Sequence, residues 1–433
     1  MNNVLYPLTY LGLGPYMIAL ARALQSRYNF CPTYLAVTPA EAAFAMNNAS
    51  GDSLVLALPD DTDSGTDALL SQAEYESVYG FMKAKYGGSH KEWRDRVNTV
   101  FRCVERAVVD RKITLFIVWN GSDCVGKVCQ ILAHKHGLKI LYLENGYFPN
   151  TLQIDPCGVN AEASICELSR AEWEREPVPV VVSGQPTHPS HIVPLSLFQR
   201  AVLKCKSKLD RRFFSRYPEL RDQQKAKRVH TNLTLSTSHS VLKNKKEFAL
   251  IVLQVHDDTQ LLLNSPLFKN PRDFLLHCYS SIREVYGPNY PIVVKLHPVD
   301  MDRICYADLA SSMRGVSWIG AEPVQPLLLG CGFVMVINSS VGLQSIALHK
   351  PTLVFGDSFY SRSEVCTVVR SVHDTRVALL ALKGSGYQKD PRQIDRFVHY
   401  LSQSYFVPGS WSLKPDSDLT PVINRIQWLL NKA

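Results

Sequence analysis

Glu144 and the adjacent pair Asp257 and Asp258 are the side chains whose type and setting point to bond-making chemistry. Glu144 ends the apolar run Lys139-Ile140-Leu141-Tyr142-Leu143 and precedes Asn145-Gly146, which reads as a buried parallel strand closing on a turn. Ligands of open α/β sheets bind beyond the carboxyl ends of the strands, so a carboxylate placed there borders a crevice. Asp257 and Asp258 follow a second run, 248–255. As neighbours on extended chain they point opposite ways, and only one can face a cleft. Two carboxylates meeting across a sugar are the minimum for glycosyl transfer, one as general acid or base and the other as nucleophile. Each of these acids alone reads equally well as a solvated turn residue.

His297 and the pair Ser339-Ser340 have the same kind of setting. His297 follows the run 290–295 and precedes Pro298, which biases its backbone away from helix. Ser339 and Ser340 follow the run 333–337 and open a helix, where hydroxyls and the first free backbone N–H groups make either an anion site or an ordinary N-cap. If their strands are neighbours, an imidazole and two hydroxyls converge on one crevice and suit a phosphate; Lys295 is expected off that face. Three aspartates in the loop after the strand 54–58, Asp60, Asp61 and Asp63, have a metal-like spacing, but in a Ser/Gly/Thr-rich loop they read as solvated, and no metal is expected.

The elements that must hold these residues come in two series. In the first half, a strand 4–11 runs into Gly12-Leu13-Gly14 and a helix over 16–26; helical pattern fills 70–111; a strand 113–119 closes on Asn120-Gly121-Ser122, and a helix over 125–136 leads into the strand of Glu144. That strand-helix-strand unit predicts a parallel sheet covered on both faces. Residues 150–160 read as a polar loop lining the cleft. The second half restarts with strands 248–255, 290–295, 333–337 and 352–355, each with polar residues at its carboxyl end. The organisation predicted is 1–190 as a first Rossmann-like domain that takes the acceptor, 191–245 as a basic connector, 246–390 as a second such domain that takes the donor, and 391–433 as helices returning to the first.

Composition bounds the reading. The chain has 433 residues, 46% of them hydrophobic and 20% charged, too long for one ordinary core. The longest apolar run, 327–337, is broken by Gly330 and Gly332 and is far short of the roughly 20 residues that span a bilayer. Eleven cysteines without a CxxC spacing point to reduced, mostly buried thiols and a cytoplasmic location, not to a zinc site or disulfide framework. The net charge of +8 is one patch, because 200–228 holds eleven Lys/Arg against three Asp/Glu and the remainder balances. With Phe213, Phe214 and Tyr217 interleaved among arginines, this segment is a candidate for peripheral contact with an anionic membrane, or a solvated linking helix. Nucleic acid is not expected as a partner, since no binding module accompanies the patch.

Taken together, Trp119-Asn120-Gly121, Glu144-Asn145-Gly146-Tyr147-Phe148-Pro149-Asn150-Thr151-Leu152-Gln153-Ile154-Asp155-Pro156, Gly158-Val159-Asn160, Gln254-Val255-His256-Asp257-Asp258-Thr259-Gln260, Leu296-His297-Pro298 and Asn338-Ser339-Ser340 resemble the bacterial capsule-polysaccharide β-Kdo glycosyltransferases. The His-Pro and Ser-Ser pairs are also similar to those of bacterial sialyltransferases. The resemblance implies a GT-B architecture, two Rossmann-like domains whose parallel sheets face an inter-domain cleft. It implies CMP-Kdo as donor substrate, no cofactor or metal, a glycan or glycolipid acceptor, and a β-linked product with retained configuration; the membrane contact for which the basic segment 200–228 is a candidate would lie at the inner face of the cytoplasmic membrane. It makes Asp258 the nucleophile and Glu144 the acid/base group; His297, Ser339, Ser340, Gln254 and Asn338 are expected to bind the donor, and Asn120, Asn145, Gly146 and Asn150 to contact the acceptor or line the cleft. Cys157 departs from the family pattern, which has lysine there. Two competing readings are a transferase for another cytidine donor, a CMP-nonulosonate or CDP-polyol, and a non-catalytic binding protein of the same fold.

Overall fold

The computed structural model describes residues 2–9, 12–49, 53–57, 68–175, 198, 201–202, 205, 233–243, 247–384, 389–413 and 417–432. The Asp60-Asp61-Asp63 loop and nearly all of the basic segment 200–228 lie outside these. The strands, in chain order, are β1 (Asn3–Leu8), β2 (Cys31–Ala36), β3 (Leu54–Ala57), β4 (Leu115–Trp119), β5 (Lys139–Asn145), β6 (Thr151–Asp155), β7 (Ala249–Val252), β8 (Ile292–Lys295), β9 (Val316–Ile319), β10 (Phe333–Val336), β11 (Thr352–Val354), β12 (Thr367–Val368) and β13 (Val407–Pro408). They form two sheets in two compact α/β units, one built on Met1–Val159 and Gln403–Ala433, the other on Asn160–Pro177 and Gln224–Ser402. Segment Asn160–Pro177 thus belongs to the second unit, and the chain is back in the first from Gln403.

The first sheet runs β13-β6-β5-β4-β1-β2-β3, parallel from β5 to β3 and antiparallel through β6 and β13. Two prolines in it sit where only one neighbour needs an N–H. Pro32 lies outside the β2–β3 register, which starts at Thr33, and Pro7 lies beyond the β1–β4 register, which ends at Leu5. The expected loop 150–160 instead begins with β6. Its alternation buries Leu152 and Ile154 in the core on one face and Gln153 and Asp155 on the other. The helical pattern over 70–111 is two helices, Gln72–Tyr86 and His90–Arg111, parted at Gly87 and Gly88 with φ of +70° and +97° and each started by a serine capping box. Helix Thr420–Lys432 places Val422, Ile423 and Ile426 in the core under β1, β4, β5 and β6, and Lys139 Nζ donates to the Leu430 carbonyl at 2.8 Å.

Helix Pro39–Asn48 starts where β2 ends, and its Glu41 is 4% exposed, accepting from the N–H groups of Val37 and Thr38 at 3.1 and 3.0 Å. Burial pushes its carboxyl up to about 7, against the opposing pull of those N–H groups and Arg96. A raised folded pKa means that the folded chain binds the extra proton; this stability is complete below the ordinary carboxyl range and is lost as pH rises through about 7. The melting temperature is therefore expected to fall between about pH 5 and about pH 8, and Glu41→Gln, which cannot titrate, to flatten that slope in a thermal-shift series.

The second sheet, β12-β11-β10-β7-β8-β9, is wholly parallel. Its strands are short, near-continuous apolar runs, as burial on both faces requires. Successive strands leave β7 toward β9 and then resume at β10 on its other side, so a topological switch point lies between β7 and β10. The first sheet has its switch point between β1 and β4. Segment 160–175 is tied into the second unit by Arg362, whose guanidinium donates to the carbonyls of Ile165, Cys166 and Leu168 at 2.5, 2.9 and 2.7 Å, and by Trp173, packed edge-on against Phe397. All eleven cysteines are free thiols; five are buried, fewer than expected. No helix among the described residues is long and apolar enough to cross a membrane.

Candidate functional site

In the first unit the chemistry gathers beside the switch point. Asn120 follows β4 with φ of +58° and Gly121 with φ of +81°. Gly121 has no room for a side chain, because a Cβ would fall 2.5 Å from the Tyr142 ring; a Cβ on Gly126, in the first turn of helix Cys124–His136, would fall 2.6 Å from Gly121 itself. This tight turn aims the Asn120 amide at Glu144, donating from Nδ2 to Oε2 at 2.5 Å, while Asn120 Oδ1 accepts from Ser122. The other carboxylate oxygen, Oε1, accepts from the backbone and side chain of Asn145 at 2.7 and 3.1 Å. Glu144 is thus a half-buried carboxylate fixed by amide donors at the end of a rigid strand.

Three residues here have supporting roles. Gly146 donates its N–H to the Thr151 carbonyl at 2.7 Å, and a Cβ on it would collide with Thr151, so it closes the β5–β6 hairpin. Asn150 takes the left-handed turn position, φ +54°, with its side chain exposed. Gln153, paired across from Glu144 and fully buried, donates to the Asn145 carbonyl at 2.7 Å. Gln153 belongs to the motif that begins at Glu144, but nothing in the sequence pointed to this partner.

In the second unit Gln254, His297 and Asn338 each stand two residues past the ends of adjacent strands, β7, β8 and β10. Gln254 and Asn338 flank the switch point but are buried and bonded to each other: Gln254 Nε2 donates to Asn338 Oδ1 at 2.9 Å, and the Asn338 N–H to Gln254 Oε1 at 3.0 Å. Asn338 Nδ2 also donates to the carbonyls of Gln260, Asn264 and Asp357. These two amides, expected among donor-binding groups, tie the loops after β7, β10 and β11 together and have little capacity left for a ligand.

What faces outward is different. Asp258 caps helix Thr259–Leu263, with Oδ1 accepting from Gln260 N and Thr259 Oγ1 at 3.2 and 3.3 Å; its Oδ2 has no hydrogen-bond partner among the described residues. His297 is half-buried, and its Nδ1 accepts from the Val299 N–H at 3.2 Å. Burial holds the imidazole below its ordinary pKa, with the nearby Asp300 and Asp258 carboxylates pulling upward and Lys295 pushing further down. It is therefore a neutral ring with its proton on Nε2, a hydrogen-bond donor to whatever lies beyond the strand ends. Ser339 caps helix Ser340–Ala347, accepting from Val341 N at 3.2 Å, and the Tyr360 hydroxyl donates to its carbonyl at 2.6 Å. Its own hydroxyl proton, the Ser340 hydroxyl and the helix start are suited to an anion. Lys295 is buried off this edge, donating to the carbonyls of Leu296 and Gly320.

Behind Asp258 stands a network that sequence reading missed. Arg303 grips Asp257 with two donor nitrogens, at 3.0 and 2.8 Å, and reaches Asp300 at 3.2 Å. Asp300, 3% exposed, accepts from the backbone N–H and Nδ1 of His256 at 2.6 and 3.0 Å. His256, Asp257 and Asp300 offer ligating atoms within 4.8 Å of one another, but the guanidinium already supplies the cation for that cluster. The available signal was Asp300-x-x-Arg303, an acid and a base one turn apart directly after His297-Pro298.

The family profile described as capsule polysaccharide biosynthesis protein matches residues 115–368, a span that holds Asn120, Glu144, Asp258, His297, Ser339 and Ser340. Relatives include protein FixF of Sinorhizobium fredii, 26% identical over 302 residues, covering 70% of this chain and 62% of that protein. Capsule polysaccharide modification protein LipB of Neisseria meningitidis is 32% identical over 123 residues, 26% of this chain and 29% of LipB. The chain thus spans less than two thirds of the length of either relative. Among solved structures, Thermosulfurimonas dismutans KpsC, described as a β-Kdo 2,7 transferase, is 17% identical with a TM-score of 0.39, over 78% of this chain and 96% of that one. Since the profile covers more than half of the sequence, this chain belongs to the capsule polysaccharide biosynthesis protein family.

Proposed function

We propose that the protein is a retaining β-Kdo glycosyltransferase of GT-B type that takes Kdo from CMP-Kdo and adds it to a glycan or glycolipid acceptor in capsule synthesis. The observation that carries this reading is the edge beside the second switch point, where Asp258, the Nε2–H of His297 and the Ser339-Ser340 helix start follow adjacent strands. An uncharged imidazole, hydroxyls and backbone N–H groups suit a single leaving phosphate, and the reading needs no metal ion. The free Asp258 oxygen attacks the anomeric carbon, and the bond from that carbon to the CMP phosphate oxygen breaks with its electron pair passing to the phosphate. Glu144 then takes the proton of an acceptor hydroxyl, whose oxygen displaces Asp258 and restores the original configuration. Two acids kept as acids at these strand ends argue against a non-catalytic binding protein.

The test is a donor panel. Purified protein is given CMP-Kdo, generated in place by its synthetase, or a CMP-nonulosonate or a CDP-polyol, each with a Kdo-terminated or other sugar-terminated acceptor, and product linkage is read by NMR. Transfer from CMP-Kdo alone, with a β-linked product, is expected; transfer only from another cytidine donor, or an inverted product, overturns the proposal.

A further inference from the structure

We propose that Arg303 is a positioning residue that chooses between the two adjacent aspartates, clamping Asp257 so that Asp258 is the one carboxylate of the pair able to bond to substrate. The inference rests on reading Asp258 as the nucleophile and adds how a chain with two neighbouring candidates specifies one. Both oxygens of Asp257 are engaged by the Arg303 fork, and the pair is partly buried, with side-chain exposures of 26% for Arg303 and 18% for Asp257. A carboxylate gripped in this bidentate way has its lone pairs directed into the guanidinium and is a poor nucleophile. Asp258, one residue on, turns the other way into its N-cap position and keeps Oδ2 open among the described residues.

The clamp also fixes the backbone that aims Asp258. Asp300 holds the main-chain N–H and ring of His256, Arg303 holds Asp257, and both belong to the segment directly after His297-Pro298. Residues 256 and 257 are thereby pinned to the element that carries the imidazole, so the spacing between nucleophile and phosphate-binding group is set by one ion-pair network. The charge matters as much as the geometry. With the guanidinium removed, the negative charges of Asp257 and Asp300 would be left uncompensated beside Asp258 and would repel an anionic donor.

Two measurements test this. The first needs no substrate: limited carbodiimide coupling of an amine to carboxyls, mapped by tandem mass spectrometry on the peptide that contains both aspartates. Coupling requires the protonated acid, which a guanidinium partner suppresses by about tenfold or more, so wild type is expected to label at Asp258 well ahead of Asp257, and Arg303→Gln to lose the contrast. Arg303→Lys, which keeps the charge but not the fork, should retain part of it and serves if the Gln variant does not fold. The second is kinetic. Arg303→Gln is expected to lower kcat by about a hundredfold with little change in the donor KM. Asp257→Asn alone, which keeps a side-chain oxygen to accept from Arg303 and leaves Asp300 holding His256, should stay near wild type. The double variant should recover at least about tenfold of the lost rate, because removing the carboxylate charge along with the guanidinium restores balance where a purely structural arginine would not be rescued.

Equal labelling of the two aspartates in wild type, an inactive Asp257→Asn, or a double variant as slow as Arg303→Gln would overturn the clamp. A wild-type protein that shows the labelling contrast but does not use CMP-Kdo would support the clamp and overturn the donor assignment.

Discussion

Asp258→Ala is expected to lower Kdo transfer by about 10⁴-fold or more, the range seen when an enzyme loses the group that forms its covalent intermediate. The loss should fall on kcat, with CMP still bound, because His297, Ser339 and Ser340, the groups proposed to hold the phosphate, belong to other strand ends. Glu144→Gln separates the two halves of the reaction. If Glu144 serves the acceptor hydroxyl, this variant still forms the adduct but resolves it slowly, with turnover reduced by about 10²- to 10⁴-fold. Intact-mass analysis after mixing with donor should then show one Kdo increment in the Glu144→Gln variant, mapping to Asp258, and no increment in the Asp258→Ala variant. Undiminished turnover by Asp258→Ala would end the double-displacement reading, whichever donor is used.

The second large effect concerns folding. A chain stopped after Ser402 is expected to yield no soluble protein with a cooperative melting transition. Residues 403–433 supply Val407, Leu419, Val422, Ile423 and Ile426 to the same core as β1, β4, β5 and β6, all 2% exposed or less. Full burial of such side chains is worth about 1.5–3 kcal/mol each, so removing five forfeits roughly 7–15 kcal/mol, as much as the whole stability of a typical domain, about 5–15 kcal/mol. The truncation also strips β13 from β6 and takes away the Tyr405 hydroxyl that donates to Asp155 at 3.2 Å. Ile423→Ala is the graded control, expected to cost about 2–5 kcal/mol in a denaturant titration. A soluble product ending at Ser402 and melting like the full chain would show that this segment is dispensable.

Much of the two sheets was legible because their strands are apolar runs ended by polar residues and glycines, a pattern that burial on both faces imposes. The runs that became β5, β7, β8, β10 and β11 were readable for that reason. β2 was not read as a strand, since Pro32 interrupts the pattern and only the register with β3 shows why it is tolerated. β6 carries Gln153 and Asp155 on a buried face, and their partners, the Asn145 carbonyl and Tyr405, cannot be guessed from neighbouring sequence. The positions of the candidate site residues were readable at the strand ends, but their directions were not. Gln254 and Asn338 look like ligand contacts until their amides are seen bonded to each other, 84 residues apart. The choice between Asp257 and Asp258 depends on Arg303, 46 residues downstream of Asp257.

The return of the chain to its first sheet has a consequence for biosynthesis. β13 pairs with β6, joining Val407 to Leu152, so a ribosome must translate the second unit before it makes the strand that shields the open edge of the first. The usual order, in which the N-terminal domain is finished first, is reversed. Until then the nascent chain displays an unpaired strand edge and a bare apolar face, the two features that recruit neighbouring polypeptides, so this protein's yield in the cell should depend on whatever chaperone shelters that half-built sheet.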